Sequence, residues 1–140
     1  MRAGAPTMVR DIRVQHLPSR IESSAEIPAG FVPRPIGARS DVLAAIARVA
    51  PDVKAEDPNR LTIPTPDGPV EVILGPEDPC EGLTLRIGDG ASHPFVVNDL
   101  LAELGQRALD PQAESGMFEV PADPEGLARW HDHRAAAAGR

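Results

Sequence analysis

The segment IGDGASHP contains the residue types that most resemble a phosphate-binding site in this sequence. It lies between a predicted strand and a predicted helix, where glycine-rich corners can bind phosphate through backbone N–H groups. A Walker A loop also needs Lys and a hydroxyl residue after its last glycine, and a dinucleotide fingerprint needs a third glycine; neither requirement is met. Asp89 would place a negative charge against the phosphate. We therefore predict a left-handed corner at Gly88 and Gly90, with Ser92 or His93 capping the helix and no bound nucleotide.

Other residues capable of chemistry are few. The segment WHDHR places His131 and His133 two residues apart, so on a helix their side chains point about 200° away from each other and cannot share a metal ion. Cys80 is the only cysteine, which excludes an internal disulfide and a CxxC pair. Neighbouring carboxylates raise the pKa of a thiol, which disfavours a nucleophilic role for Cys80. We predict no catalytic residue, no metal site and no cofactor.

The acidic loop GPEDPCEG is the strongest candidate for a binding surface. Its carboxylates Glu77, Asp78 and Glu81 lie on one loop braced by two prolines, so ordering them against a partner costs little entropy. A protein with a cationic surface could be steered to them electrostatically. The alternative is a loop that only aids solubility. Trp130, on a predicted C-terminal helix, is the fourth candidate partner-binding residue; the alternative is that it docks this helix on the core.

Charge and composition exclude other functions. The chain has 21 acidic and 14 basic residues, a formal net charge of −7, and nucleic acid and anionic lipid repel such a protein. Three Phe and one Trp offer few rings on which bases could stack. Neither an apolar signal segment nor a membrane-length apolar run is present. We predict a cytoplasmic protein that binds neither nucleic acid nor membrane and is a monomer or homodimer.

Alternating apolar residues predict the strands. The segments DIRVQHLP, LTIPTPDGPVEVIL and LTLRI alternate in this way, the second as a hairpin about a Pro-Asp-Gly turn, and RALDPQAESGMFEV predicts one or two brief strands. Predicted inward-facing strand residues are Ile12, Val14, His16, Val70, Val72, Leu74, Leu83, Leu85 and Ile87.

Three helices are predicted from periodicity and capping residues. The first has Ser40 as its N-cap and ends before Pro51. The second runs from about Pro94 to Leu104 and ends at Gly105. The third has Asp123 as its N-cap, and it buries Leu127 and Trp130 on one face.

The resulting fold class is α+β. The middle strands have connections too short for crossovers and must pair antiparallel. We predict a single domain over residues 8–134, with a mainly antiparallel sheet of about five strands, two helices on one face and a short C-terminal helix. Residues 1–7 are expected to be a disordered extension, with Met1 or Met8 as the start, and residues 135–140 a frayed tail.

The order of these segments resembles a widespread family of small uncharacterised bacterial α+β proteins. The resemblance covers most of residues 8–134 and rests on DIRVQHLP, PRPIGARSDVLAAIARVAPD, LTLRI, LGQRALDPQAESGMFE and ARWHDHR. It implies a compact domain but no activity, cofactor or catalytic residue. By analogy of size, charge and architecture, such proteins look like the immunity proteins encoded beside bacterial toxins.

Three functions are therefore open. The first is a non-catalytic protein that binds another protein, as an immunity-like inhibitor for example. The second is a small enzyme whose site assembles from dispersed residues such as His16, Asp89 and His93. The third is a homo-oligomeric structural subunit that associates through a sheet edge or the Trp130 helix.

Overall fold

A computed structural model describes residues 9–139 of the chain. This part contains six strands and three α-helices, and one 3₁₀ turn spans Ser24–Glu26. The strands are β1 (Arg10–Gln15), β2 (Lys54–Asp57), β3 (Arg60–Ile63), β4 (Val70–Leu74), β5 (Gly82–Ile87) and β6 (Arg107–Leu109). The helices are α1 (Arg39–Val49), α2 (His93–Leu104) and α3 (Pro124–Ala138).

All six strands form one sheet in the order β2-β3-β4-β5-β1-β6, and every neighbouring pair is antiparallel. The first strand thus lies inside the sheet, between β5 and β6. The prediction of a single-sheet α+β fold is confirmed.

The core lies between the sheet and the helices. Eight of the strand residues predicted to face inward lie in it, each 3% exposed or less: Ile12, Val14, Val70, Val72, Leu74, Leu83, Leu85 and Ile87. The ninth, His16, lies outside β1 and is only half-buried, whereas Leu61, Ile63 and Ala108 join the core without having been predicted. They form one cluster with residues of α1 and α2 and with Trp130 of α3. On the opposite face of the sheet, polar residues pair across strands, as in the ion pair between Arg86 and Asp11.

The strand count differs from the prediction at two places. Strand β2 was missed because Lys54, Glu56 and Asp57 show no apolar alternation; all four of its residues are exposed at the edge of the sheet. The second brief strand predicted after β6 is only an isolated bridge between Leu109 and Met117.

The C-terminal helix is longer than predicted. It has 15 residues, ends at Ala138 rather than near residue 134, and buries Ala137. Residues that we expected to fray from 135 onward are therefore helical through Ala138. Leu127 is 37% exposed, so it does not share the buried face of Trp130. The predicted extension, residues 1–7, lies outside the described residues.

The ends of the helices are partly as predicted. The side chain of Asp123 accepts a hydrogen bond from the N–H of Gly126 and caps α3, and Gly105 ends α2 in the left-handed conformation with φ of 64°. The prediction for α1 was wrong: Ala38 is the N-cap residue and Ser40 lies inside the first turn.

Candidate functional site

The acidic loop joins β4 to β5 and exposes Glu77, Asp78 and Glu81, as a binding surface requires. Its backbone is fixed at Cys80, whose N–H donates to the carbonyl of Gly37 and whose carbonyl accepts from the N–H of Ile36, both at 2.8 Å. Asp78 is fixed as well, because its Oδ1 accepts the N–H of Arg39 at 3.0 Å. This carboxylate caps α1 from a distance of 39 residues along the chain.

Arg39 connects this loop to the β2–β3 hairpin. Its guanidinium donates to the carbonyl of Gly75 at 2.7 Å, to Oδ1 of Asn59 at 3.0 Å and to the carbonyl of Pro58. These bonds bring the hairpin tip, with the exposed Asp57, to the end of the sheet that carries the acidic loop. Sequence reasoning did not place Asp57 at this surface. The contact depends on Arg39, which is distant in sequence, so no local pattern predicts it.

We call the surface formed by Asp57, Glu77, Asp78 and Glu81 the acidic end. Its four carboxylates are exposed, and the Arg39 guanidinium links the two segments that carry them through its bonds to Gly75, Pro58 and Asn59. Their backbone is held by hydrogen bonds to α1, to the hairpin and to the segment before α1. A cationic partner would therefore meet a preorganised anionic surface.

Trp130 does not belong to this surface. Its side chain is fully buried, and its Nε1 donates to Oδ2 of Asp99 at 2.9 Å. The same carboxylate oxygen accepts from Arg134 at 2.9 Å, and the ring of His133 stacks on the indole at 5.8 Å between centroids. The assignment of Trp130 as a partner-binding residue was wrong, because an indole that fills the core presents no surface to a partner.

The glycine-rich corner holds a carboxylate of this chain where a phosphate would bind. Oδ2 of Asp67, in the β3–β4 turn, accepts the N–H of Ser92 at 3.0 Å and the Ser92 hydroxyl at 2.6 Å. Nη2 of Arg129, from α3, donates to the other oxygen at 2.6 Å. The hydrogen bonds from Arg129 and then from Ser92 lower the pKa of Asp67 to about 2. Ser92 is the N-cap residue of α2, as predicted, but its side chain makes no capping hydrogen bond; Asp67 supplies the carboxylate at the start of the helix instead.

Gly90 in this corner is needed for space rather than for handedness. Neither Gly88 nor Gly90 has a positive φ, so the predicted left-handed corner was wrong. A Cβ on Gly90 would overlap the Cβ of Asp67, which explains the glycine at that position. The left-handed glycine nearby is Gly68, with φ of 99°, in the turn that carries Asp67.

The neighbouring serine and histidine do not form a catalytic pair. Nδ1 of the buried His93 accepts the N–H of Gly88 at 3.0 Å, so the ring proton lies on Nε2, which is 3.0 Å from the carbonyl oxygen of Gly68 and donates to it. Both ring nitrogens are therefore engaged with backbone. The Ser92 hydroxyl donates to Asp67 and lacks a base that could activate it.

The residues named for a dispersed active site are only partly brought together. His93 and Asp89 line one cavity of about 190 Å³ beside the corner. His16 lies elsewhere, where its Nδ1 accepts the N–H of Arg34 at 3.0 Å. Because the ring of His93 is engaged on both sides, this cavity holds no free general base from that residue.

The other two histidines and the cysteine contribute no metal or nucleophilic site. His133 contacts Asp52 at 3.0 Å, whereas His131 is exposed on α3. Over residues 9–139, no three His, Cys, Asp or Glu side chains are grouped so that they could hold a metal ion. Cys80 is 2% exposed, and burial raises the pKa of its thiol, with a further rise from Asp78.

Comparison of the chain with protein-family models, curated proteins and solved structures found no match. Among the helices of residues 9–139, none combines the length and the apolar character that crossing a membrane requires.

Proposed function

We propose that this chain is a non-catalytic protein that binds another protein through the acidic end. The observation that carries the proposal is the arrangement of four exposed carboxylates on a backbone fixed by Arg39, Asp78 and Cys80. The partner has a cationic surface. Long-range attraction speeds its approach, and the fixed backbone limits the entropy lost on binding.

The polar groups of the corner favour this function over catalysis. Asp67, Ser92 and His93 are all committed to contacts within the fold, and these contacts join the β3–β4 turn to α2 and α3. Such contacts stabilise the domain without leaving a group poised to transfer a proton.

The more specific proposals follow from charge and architecture. We propose that the chain belongs with the small bacterial α+β proteins that it resembles. It acts in the cytoplasm as an immunity-like inhibitor of a cationic protein. It binds neither nucleic acid nor membrane. In the absence of a partner it is a monomer. The edge strand β2 supports this, because Lys54, Glu56 and Asp57 oppose pairing with the edge of another sheet.

The test uses the full chain as bait in lysate of its own host and compares it with two charge-reversed variants. Glu77→Lys with Glu81→Lys alters the acidic end and leaves the Asp78 cap intact. Glu114→Lys with Asp132→Lys, at exposed positions elsewhere, makes the same change in net charge. We expect a basic protein that the wild type and the second variant retain and that the first releases.

Mass spectrometry identifies the retained protein, and its affinity for each variant is then measured with purified components. For inhibition, the partner expressed alone should be toxic, and co-expression of the chain should relieve the toxicity. The proposal fails if the wild type retains no protein at micromolar concentration, or if both variants retain the partner equally.

A further inference from the structure

The segment before α1 is an exposed apolar surface beside the acidic loop. We define residues 28–36, PAGFVPRPI, as the proline strap. Val32 is 80% exposed, the largest exposed fraction among the large hydrophobic residues of the described chain. Pro28, Pro33 and Pro35 are exposed as well, so apolar groups face solvent along most of the strap.

The strap is rigid for reasons of covalent geometry. Proline fixes φ near −65° at Pro33 and Pro35, and a residue that precedes proline is disfavoured in the α region. Val32 and Arg34 each precede a proline, so all four residues from 32 to 35 have a restricted backbone. A partner that binds them loses little conformational entropy in the process.

Hydrogen bonds anchor the strap along its length. The N–H of Phe31 donates to the carbonyl of Pro28 at 3.0 Å, and the N–H of Arg34 donates to Nδ1 of His16 at 3.0 Å. The rings of Phe31 and His16 lie 5.3 Å apart. These contacts fix the backbone on both sides of Val32 while its side chain stays in solvent.

The strap and the acidic loop are neighbours in the fold. Their backbones are joined by the two hydrogen bonds between Cys80 and the pair Ile36 and Gly37. The C-terminal end of the exposed apolar strap therefore lies beside the loop that carries the exposed carboxylates of Glu77, Asp78 and Glu81. A matching protein surface would have an apolar pocket bordered by Lys or Arg side chains, because that arrangement complements both the shape and the charge.

We infer that the proline strap is the apolar half of the partner-binding surface and that Val32 enters a pocket on the cationic partner. This inference rests on the proposed function and names the contact that supplies affinity, whereas the acidic end supplies steering and orientation. A few residues that fill desolvated pockets near the centre of an interface contribute most of the binding energy, and exposed charges at the rim contribute mainly to the rate of association.

The first test compares Val32→Asp with Val120→Asp in binding to the partner retained by the wild type. Val120 is also an exposed valine, 41% exposed, and serves as the matched control. We expect Val32→Asp to weaken binding by about tenfold or more, mainly through faster dissociation, and Val120→Asp to bind as the wild type does. Both variants should keep the thermal midpoint of the wild type, because each side chain faces solvent.

The second test places a photo-crosslinking amino acid at position 32 or at position 120 of the full chain in host cells. We expect an adduct with the basic partner from position 32 and none from position 120. An adduct between two copies of the chain, or equal adducts from both positions, would overturn the inference.

The outcomes separate this inference from the proposed function. If Glu77→Lys with Glu81→Lys abolishes binding but Val32→Asp leaves it unchanged, the acidic end binds the partner and the strap does not. If no partner is retained by the wild type, both proposals fail together.

Discussion

Helices α1 and α2 begin in the same way and differ in what surrounds their first turn. Each N-terminus is capped by an aspartate from a loop far along the chain, Asp78 for α1 and Asp67 for α2. Asp67 also accepts bonds from a buried hydroxyl and from Arg129, and its side chain is only 18% exposed. Asp78 is exposed and stands among other carboxylates.

This difference separates a carboxylate that holds the fold together from one that remains available to a partner. At the α2 corner Asp67, Ser92 and His93 all bond to groups inside the domain, so their binding to a further partner would require breaking existing bonds. At the α1 corner the cap fixes the backbone of a loop whose other acidic side chains stay in water. The same capping interaction is therefore surrounded by other intramolecular hydrogen bonds at Asp67 and lies on a solvent-exposed acidic loop at Asp78.

The largest expected effect on stability comes from removing the Asp67 cap, and removing the Asp78 cap is the comparison. Asp67→Ala should lower the free energy of unfolding by about 2–3 kcal/mol, because the N–H of the buried Ser92 loses its acceptor and Arg129 loses its ion pair. Asp78→Ala removes one exposed cap and should cost about 1 kcal/mol or less. Urea unfolding of both variants measures the difference, and equal losses would contradict the comparison.

Adding a methyl group probes the rigidity of the two corners. Gly90→Ala should cost about 2 kcal/mol, because the new Cβ would overlap Asp67, which is held by three groups. Gly75→Ala meets the carboxylate end of Glu77, which can rotate into solvent, so its effect should stay within about 0.5 kcal/mol. A cost at Gly75 as large as that at Gly90 would show that the acidic loop is as tightly packed as the corner.

The smallest effect is a pH dependence confined to the α2 corner. Because the pKa of Asp67 is about 2 in the folded chain and near 3.8 when unfolded, the unfolded chain binds more protons in this range. The stabilisation from its carboxylate is complete above about pH 4 and is lost as the pH falls from there toward 2. Solvent screening reduces the full linkage value, so we expect a loss of about 1–2 kcal/mol.

Asp67→Asn, which cannot titrate, provides the control for this dependence. The difference in the free energy of unfolding between the wild type and this variant should narrow by about 1–2 kcal/mol between pH 5 and pH 2. A constant difference across this range would mean that the bonds from Arg129 and Ser92 do not favour the ionised carboxylate.

Much of the sheet could be predicted from the sequence, because its inward residues alternate along β1, β4 and β5. The burial of Val70, Val72 and Leu74 follows directly from that period. Strand β2 could not be found in this way: an edge strand needs charged residues to discourage aggregation, and these residues hide its period.

The sites were harder to predict because long-range contacts determine them. Ser40 and Ser92 each have the right residue type for a local cap, yet carboxylates 39 and 25 residues away cap both helices. Trp130 illustrates the same limit, since its burial depends on Asp99 and α2 rather than on its neighbours in sequence. The acidic loop was recognisable because its charges are local, whereas Asp57 joins it only through Arg39.

The position of β1 has a consequence for synthesis on the ribosome. Of the six strands it is translated first, but its partners are β5, in which Ile87 opposes Arg10, and β6, in which Arg107 opposes Gln15. Strand β1 must therefore wait until β2, β3, β4 and β5 have been translated before it finds a neighbour in the sheet. Loop closure over such a span slows folding. The long-range pairing of β1 is therefore expected to be a late step in the folding of the sheet.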